Sequence, residues 1–384
     1  MRDKPLFVTR PFLPPLQSFM SSLEEIWASG QLTNGGAFHE RLERALAEYL
    51  GVRHFSLVAN GTLALIAAIR ALGVSGEVVT TPFSFVATAN ALLWNGITPV
   101  FADIAPESLD LCPDAVEAAI TPRTTAILPV HVYGRPCDQI ALQRIADRHG
   151  LKVIYDAAHA MGVRGDGCNL LTQGDASALS FHATKVFHTF EGGAVVCRDA
   201  ATKAEVDRLR NHGFDGDSRL LAAGFNAKLN EVQAAFGLLH LAHLDDVIAR
   251  RQAVDARYRS ELAEVDGIRC LALPDGVRNN YGYFPILVEP YFPLGRDELQ
   301  SCLRQEEIHA RRYFFPLISD FAPYRALPGA GPGCLPVASN VAARVLCLPI
   351  FPEMAAADVD DVVAAIRRAA AEPRSRSARK APGG

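Results

Sequence analysis

Chemistry-bearing residues in this sequence fall at the ends of short apolar runs. Lys185 closes Ser180-Phe181-His182-Ala183-Thr184-Lys185, just before Glu191-Gly192-Gly193. A lysine is ordinarily a solvated surface residue. Held against a buried strand end, it loses hydration, its pKa falls, and the amine becomes nucleophilic toward an aldehyde. The Gly-Gly turn would let backbone approach a bound group. Asp156 ends another apolar run and opens Asp156-Ala157-Ala158-His159. A buried carboxylate there needs a cationic partner; otherwise it caps the following turn. On a functional reading it would keep the ring nitrogen of pyridoxal 5′-phosphate protonated, so that the charged ring acts as an electron sink. His159, three residues on, either sits at such a ring, over it or near its phenolic oxygen, or is a structural histidine.

Asn60-Gly61-Thr62 stands between an apolar run and a helical stretch. Free amides at a helix N-terminus bind phosphate, Gly61 allows close approach and Thr62 adds a hydroxyl. Asn-Gly is also an ordinary turn. Phe85 either stacks on a planar ring or packs in the core. No Gly-x-Gly-x-x-Gly follows a strand and no Gly-Lys-Ser/Thr is present, which argues against dinucleotide and P-loop sites.

The elements that must position these residues alternate between about residues 50 and 200. Apolar runs at His54–Val58, Glu77–Thr80, Thr98–Ala102, Thr125–Val130, Val153–Tyr155, Ala176–Phe181 and Ala194–Cys197 read as strands. Gly61–Leu72, Val86–Trp94, Pro113–Ile120 and Asp138–His149 read as helices between them, the third opened by proline and the last closed by glycine. The pattern predicts an α/β fold with a mostly parallel central sheet flanked by helices. In such sheets ligands gather at the carboxyl ends of strands. Residues 226–261 read as one or two long helices. Beyond Ile268 the order becomes strand (Tyr283–Val288), helix (Gly295–Glu306), a Pro-rich loop and a helix (Ala356–Ala370). The division expected is a large cofactor-binding domain over 1–250, a small C-terminal α+β domain over 251–372 and a frayed tail over 373–384.

Composition limits the alternatives. The chain has 384 residues, 49% of them hydrophobic, enough for a large core, and a net charge of −4. No basic stripe suggests a nucleic-acid partner. No apolar run approaches the ~18 residues that span a membrane. The proline-broken N-terminus is unlike a signal peptide. Eight cysteines (112, 137, 168, 197, 270, 302, 334 and 347) lack CxxC spacing and read as reduced thiols in a cytoplasmic protein, with no metal site.

Together these segments resemble the DegT/DnrJ/StrS sugar aminotransferases, from about Pro11 to Pro352. The resemblance rests on Asn60-Gly61-Thr62-Leu63-Ala64-Leu65, Pro99-Val100-Phe101-Ala102-Asp103-Ile104, Pro129-Val130-His131-Val132-Tyr133-Gly134, Asp156-Ala157-Ala158-His159, the Lys185 run, Glu191-Gly192-Gly193 and Gly224-Phe225-Asn226-Ala227-Lys228-Leu229-Asn230-Glu231. It implies pyridoxal-phosphate fold type I. Lys185 would hold the cofactor covalently and shuttle protons, and Asp156 would pair with the ring nitrogen. His159 stands where the family often has glutamine, near the ring hydroxyl. Gly61, Thr62 and Ser180 would bind the phosphate, and Phe85 would stack on the ring. Asn226 would reach the phosphate from a neighbouring subunit, making the unit a homodimer. Some relatives carry histidine at the lysine position and are sugar dehydratases; Lys185 argues for transamination. The nearest likeness is to enzymes that aminate dTDP-4-keto-6-deoxyglucose at C4 with L-glutamate as donor. It includes Thr9-Arg10-Pro11-Phe12-Leu13-Pro14-Pro15, Leu32-Thr33-Asn34 and Tyr313-Phe314-Phe315-Pro316-Leu317 as loops that would line a sugar-nucleotide pocket. The rival readings are a C3 aminotransferase, a sugar dehydratase, or a non-catalytic regulator on the same fold.

Overall fold

Apolar runs of four or five residues, without polar alternation, form strands buried on both faces. The computed structural model, which describes residues 4–165, 169–216 and 218–371, gathers seven of them into one sheet. They are His54–Val58 (β1), Glu77–Thr80 (β2), Thr98–Phe101 (β3), Thr124–Leu128 (β4), Lys152–Asp156 (β5), Ala176–Ser180 (β6) and Gly193–Cys197 (β7). Their spatial order is β1-β7-β6-β5-β4-β2-β3. Only β7 runs against its neighbours; the other pairings are parallel. Helix Gly61–Ala71 packs across β6 and β7, and Gln139–His149 lies on β4 and β5. The expected parallel sheet and its intervening helices are therefore present.

Register decides which strand ends meet. Gly193, the first residue of β7, pairs with Val58 on one side and Ser180 on the other. The Asn60-Gly61-Thr62 turn and Ser180 are thus separated by one glycine. Asp156 ends β5, the next strand along.

A second core lies on a three-stranded antiparallel sheet of Ile268–Cys270 (β8), Phe284–Val288 (β9) and Val345–Leu348 (β10). Helices Arg296–Gln305 and Ala356–Ala371 pack with it. The division expected at residue 250 falls inside helix Leu244–Leu262, which serves both cores. Its Leu244, Val247 and Ile248 pack in the larger one, and Val254, Tyr258 and Leu262 in the smaller. Leu6–Phe7 pairs with Ile308–His309, so the N-terminal strand joins the smaller unit.

The helical stretch at 226–261, which reads as one or two helices, is two, Glu231–Leu241 and Leu244–Leu262. Other elements differ from the sequence reading. Helices Leu16–Ser29, Ala37–Leu50 and Ala200–Arg210 are additional. Part of the Pro-rich loop is helix Pro336–Arg344, where proline occupies the first turn and needs no amide partner. The amides of Val337 and Ala338 are taken by the Asp103 carboxylate. Among the described residues no helix is long and apolar enough to cross a membrane. Cys168 and the tail expected at 373–384 lie outside the described residues.

Candidate active site

Asp156 is 4% exposed at the end of β5. Its carboxylate accepts from the Thr88 hydroxyl at 2.7 Å and the Ala158 amide at 3.1 Å. Because Thr88 gives its proton to Asp156, Ser84 must be the donor in the 2.9 Å Ser84–Thr88 bond. Burial raises the Asp156 pKa, opposed by these bonds and by the charge of Lys185. Among the described residues no cationic side chain is within ion-pair distance of it. A buried carboxylate in this state favours a cationic ligand.

Lys185 follows β6 in a turn closed by its own amide bonding the His182 carbonyl. Burial lowers its pKa to about 8, against the attraction of Asp156. The amine is therefore substantially neutral in mildly alkaline solution. Its Nζ donates to the Tyr283 hydroxyl at 3.2 Å.

His159 is oriented by the backbone. The Tyr133 amide donates to its Nδ1 at 3.1 Å. Burial and the nearby Lys185 charge push the pKa of His159 well down, so the ring is neutral. With Nδ1 accepting, the proton must lie on Nε2, which leaves that nitrogen as a donor. The ring lies parallel to Phe314 and tilted against Tyr283.

Helix Gly61–Ala71 begins at Asn60, whose side chain accepts from the Leu63 amide at 2.9 Å. The Asn60 carbonyl takes the amide of Ala64. The amides of Gly61 and Thr62 belong to the first turn and have no intrahelical acceptor, which suits an anion at the positive end of the helix. A Cβ at Gly61 would lie 2.7 Å from the Ser180 Cβ, so only glycine lets these two positions close up. The Gly-Gly turn departs from its expected role. A Cβ at Gly193 would lie 2.6 Å from the Asn60 carbonyl carbon, and one at Gly192 would collide with Thr189. These glycines make room for neighbouring protein backbone and side chain, because β7 is inserted between β1 and β6.

These groups share one cavity of about 760 Å³. Lys185, Asp156, Gly61, Thr62, Phe85, His159 and Ser180 all line it. Asn226 does not; it is bridged to Asn211. Of the loops expected to line a sugar-nucleotide pocket, Tyr313 and Phe314 are on this wall, whereas Thr9–Pro15 and Leu32–Asn34 are not. Thr88, behind Asp156, and Tyr283, beside Lys185, were not singled out from sequence. The cavity offers an acid for a ring nitrogen, a helix N-terminus for a phosphate, a nucleophilic amine for an aldehyde and a neutral donor for a ring oxygen. Pyridoxal 5′-phosphate carries all four matching groups, so the residues fit it.

Comparison with known proteins agrees. Residues 16–367 match the DegT/DnrJ/EryC1/StrS aminotransferase family. The chain is 50% identical over 367 residues to a dTDP-4-amino-4,6-dideoxy-D-glucose transaminase of Shigella dysenteriae, covering 95% of this chain and 99% of that one. It superposes on the crystal structure of DesI in the presence of its TDP-sugar product with a TM-score of 0.92 at 39% identity, covering 96% of this chain and 94% of that one. It also superposes on NtdA of Bacillus subtilis with bound cofactor PMP, with a TM-score of 0.84 at 28% identity over 93% of this chain and 82% of that one. The fold is that of the pyridoxal-phosphate aminotransferases, and pyridoxal 5′-phosphate is the cofactor. With its sheet, its cofactor groups and nearly its whole length accounted for, the chain belongs to the DegT/DnrJ/EryC1/StrS aminotransferase family.

Proposed function

We propose that the enzyme transfers the amino group of L-glutamate to C4 of a nucleotide-linked 4-keto-6-deoxyhexose, dTDP-4-dehydro-6-deoxy-D-glucose. The products are 2-oxoglutarate and a dTDP-4-amino-4,6-dideoxy sugar. One observation carries the reaction type: the half-buried amine of Lys185, its pKa lowered to about 8, faces a cavity that buried Asp156 also lines. The choice of sugar is supported by kinship with the Shigella dysenteriae transaminase.

Pyridoxal phosphate supplies an electron sink for the bond broken at the substrate carbon. The chain supplies the rest. Neutral Lys185 Nζ takes the proton from the amine-bearing carbon and returns it, a role usually contributing ~10²–10⁴-fold. Asp156, held by Thr88, which Ser84 in turn supports, keeps a proton on the ring nitrogen. His159 Nε2 donates to an anionic oxygen on the ring. The amides of Gly61 and Thr62, with Ser180, grip the phosphate. Lysine at position 185 is what the resemblance associates with transamination rather than dehydration.

The reading includes a homodimer in the cytoplasm. Trp94 and Phe85, 80% and 61% exposed, leave an apolar rim on the cavity that a second copy would cover. The second copy would also bring its Asn226 to the phosphate. The seven described cysteines are free thiols, as a reducing compartment keeps them.

Incubation with ¹⁵N-glutamate, cofactor and the 4-keto sugar tests the reaction. We expect ¹⁵N at C4 of the product and one 2-oxoglutarate per sugar. Nitrogen at C3, or loss of water without nitrogen transfer, would overturn it.

A further inference from the structure

Tyr283 reaches the cavity from outside the main sheet. It stands one residue before β9, in the smaller unit, yet its hydroxyl is 3.2 Å from Lys185 Nζ. The amine also lies 5.8 Å from the centre of the tyrosine ring. The segment that carries Tyr283 is fastened to the larger unit by Asn280, which is 1% exposed. Asn280 Nδ2 donates to the carbonyls of His159 and Met161, both at 2.8 Å, and its Oδ1 accepts from the Gly282 amide at 3.0 Å. Gly282 also permits the approach to the lysine turn: a Cβ there would lie 3.1 Å from Val186 Cγ2. The loop is thus pinned between the stretch after Asp156 and the stretch after Lys185.

We infer that Tyr283 is a positioning residue for Lys185, set in place by Asn280, and that its hydroxyl holds the amine in the orientation from which it moves protons. The inference rests on the role proposed for Lys185. Three groups face the amine: Asp156, anionic when a cation is bound; His159, neutral; and Tyr283. Burial pushes the phenol pKa well up, so Tyr283 stays protonated. Its oxygen accepts one N–H of Lys185, which leaves the amine's remaining valences to the cavity. An acceptor at this place favours the ammonium over the neutral amine. Its loss should therefore lower the Lys185 pKa, and free the side chain to rotate.

The test is Tyr283→Phe, which removes one oxygen from a cavity wall and leaves the Asn280 bonds intact. Reductive methylation of the full-length, cofactor-free chain across a pH series, read at the Lys185 peptide by mass spectrometry, titrates the amine directly. The wild-type midpoint is expected at about 8. In Y283F it should fall by about half a unit to one unit, the effect of a neutral hydrogen bond. In the cofactor-loaded enzyme kcat should fall about ten-fold, with KM for both substrates little changed. If Y283F does not give folded protein, Tyr283→Met keeps apolar bulk without an oxygen acceptor and is read the same way. A midpoint that stays at about 8, or a turnover that stays at the wild-type rate, overturns the inference. Lys185→Ala separates this from the reading beneath it: full turnover in that variant would defeat the role of Lys185 itself.

Discussion

At the scale of single residues, the site is built from groups held in unfavourable states. Asp156 is buried with no ion-pair partner among the described residues, and its raised pKa means that ionisation costs the cofactor-free fold. That cost grows as pH rises through the folded pKa, because the unfolded chain gives up the proton more readily. Asp156→Asn removes the charge, and the Thr88 hydroxyl can turn to accept from the new amide. The cofactor-free variant should therefore melt higher than wild type at neutral pH. With cofactor bound, its kcat should drop by ~10²–10³-fold, the usual loss when a charge aimed at a transition state is removed. Calorimetry and steady-state assays check both; a lower melting point with near-normal turnover would contradict the account. Lys185 and Asp156 were legible in sequence because each follows an apolar strand. Thr88 and Tyr283 were not. They act across 68 and 98 residues, and no local pattern marks a threonine or a tyrosine for such a meeting.

At the scale of elements, one strand decides the phosphate site. β7 enters between β1 and β6 against their direction, and its glycine start brings Asn60-Gly61-Thr62 beside Ser180. Alternation of apolar runs and helices foretold the parallel sheet, but not this reversed strand, because a run buried on both faces reads alike in either direction. The helix Pro336–Arg344 escaped notice for a related reason. Its cap, Asp103, lies 234 and 235 residues from the amides it binds. Gly61→Ala tests the phosphate site. The added methyl must displace Ser180 or the first helical turn. Loss of one charge-assisted bond, about 1.5–3 kcal/mol, should weaken cofactor affinity ten-fold or more. Equilibrium titration of cofactor fluorescence measures it; unchanged affinity would place the phosphate elsewhere.

At the scale of the whole molecule, the cavity is furnished by two units joined through helix Leu244–Leu262, and its apolar rim is where the proposed second copy would sit. If sites are shared, Lys185→Ala and Asn226→Ala damage different subunits of each site. Heterodimers of the two then regain one intact site of two, and an equal, fully exchanged mixture should show about a quarter of wild-type activity. A mixture no better than its parts would contradict the shared site. Everything else depends on Lys185 being a desolvated amine aimed into the cavity. The most direct measurement is the rate at which the cofactor-free enzyme captures added pyridoxal phosphate, followed by visible absorbance from pH 6 to pH 10. Only the neutral amine attacks, so the rate should rise about ten-fold per pH unit and level off near pH 8. The Lys185→Ala protein should show no capture. A rate still climbing at pH 10, as for a solvated lysine, or equal capture by the variant, would contradict the account.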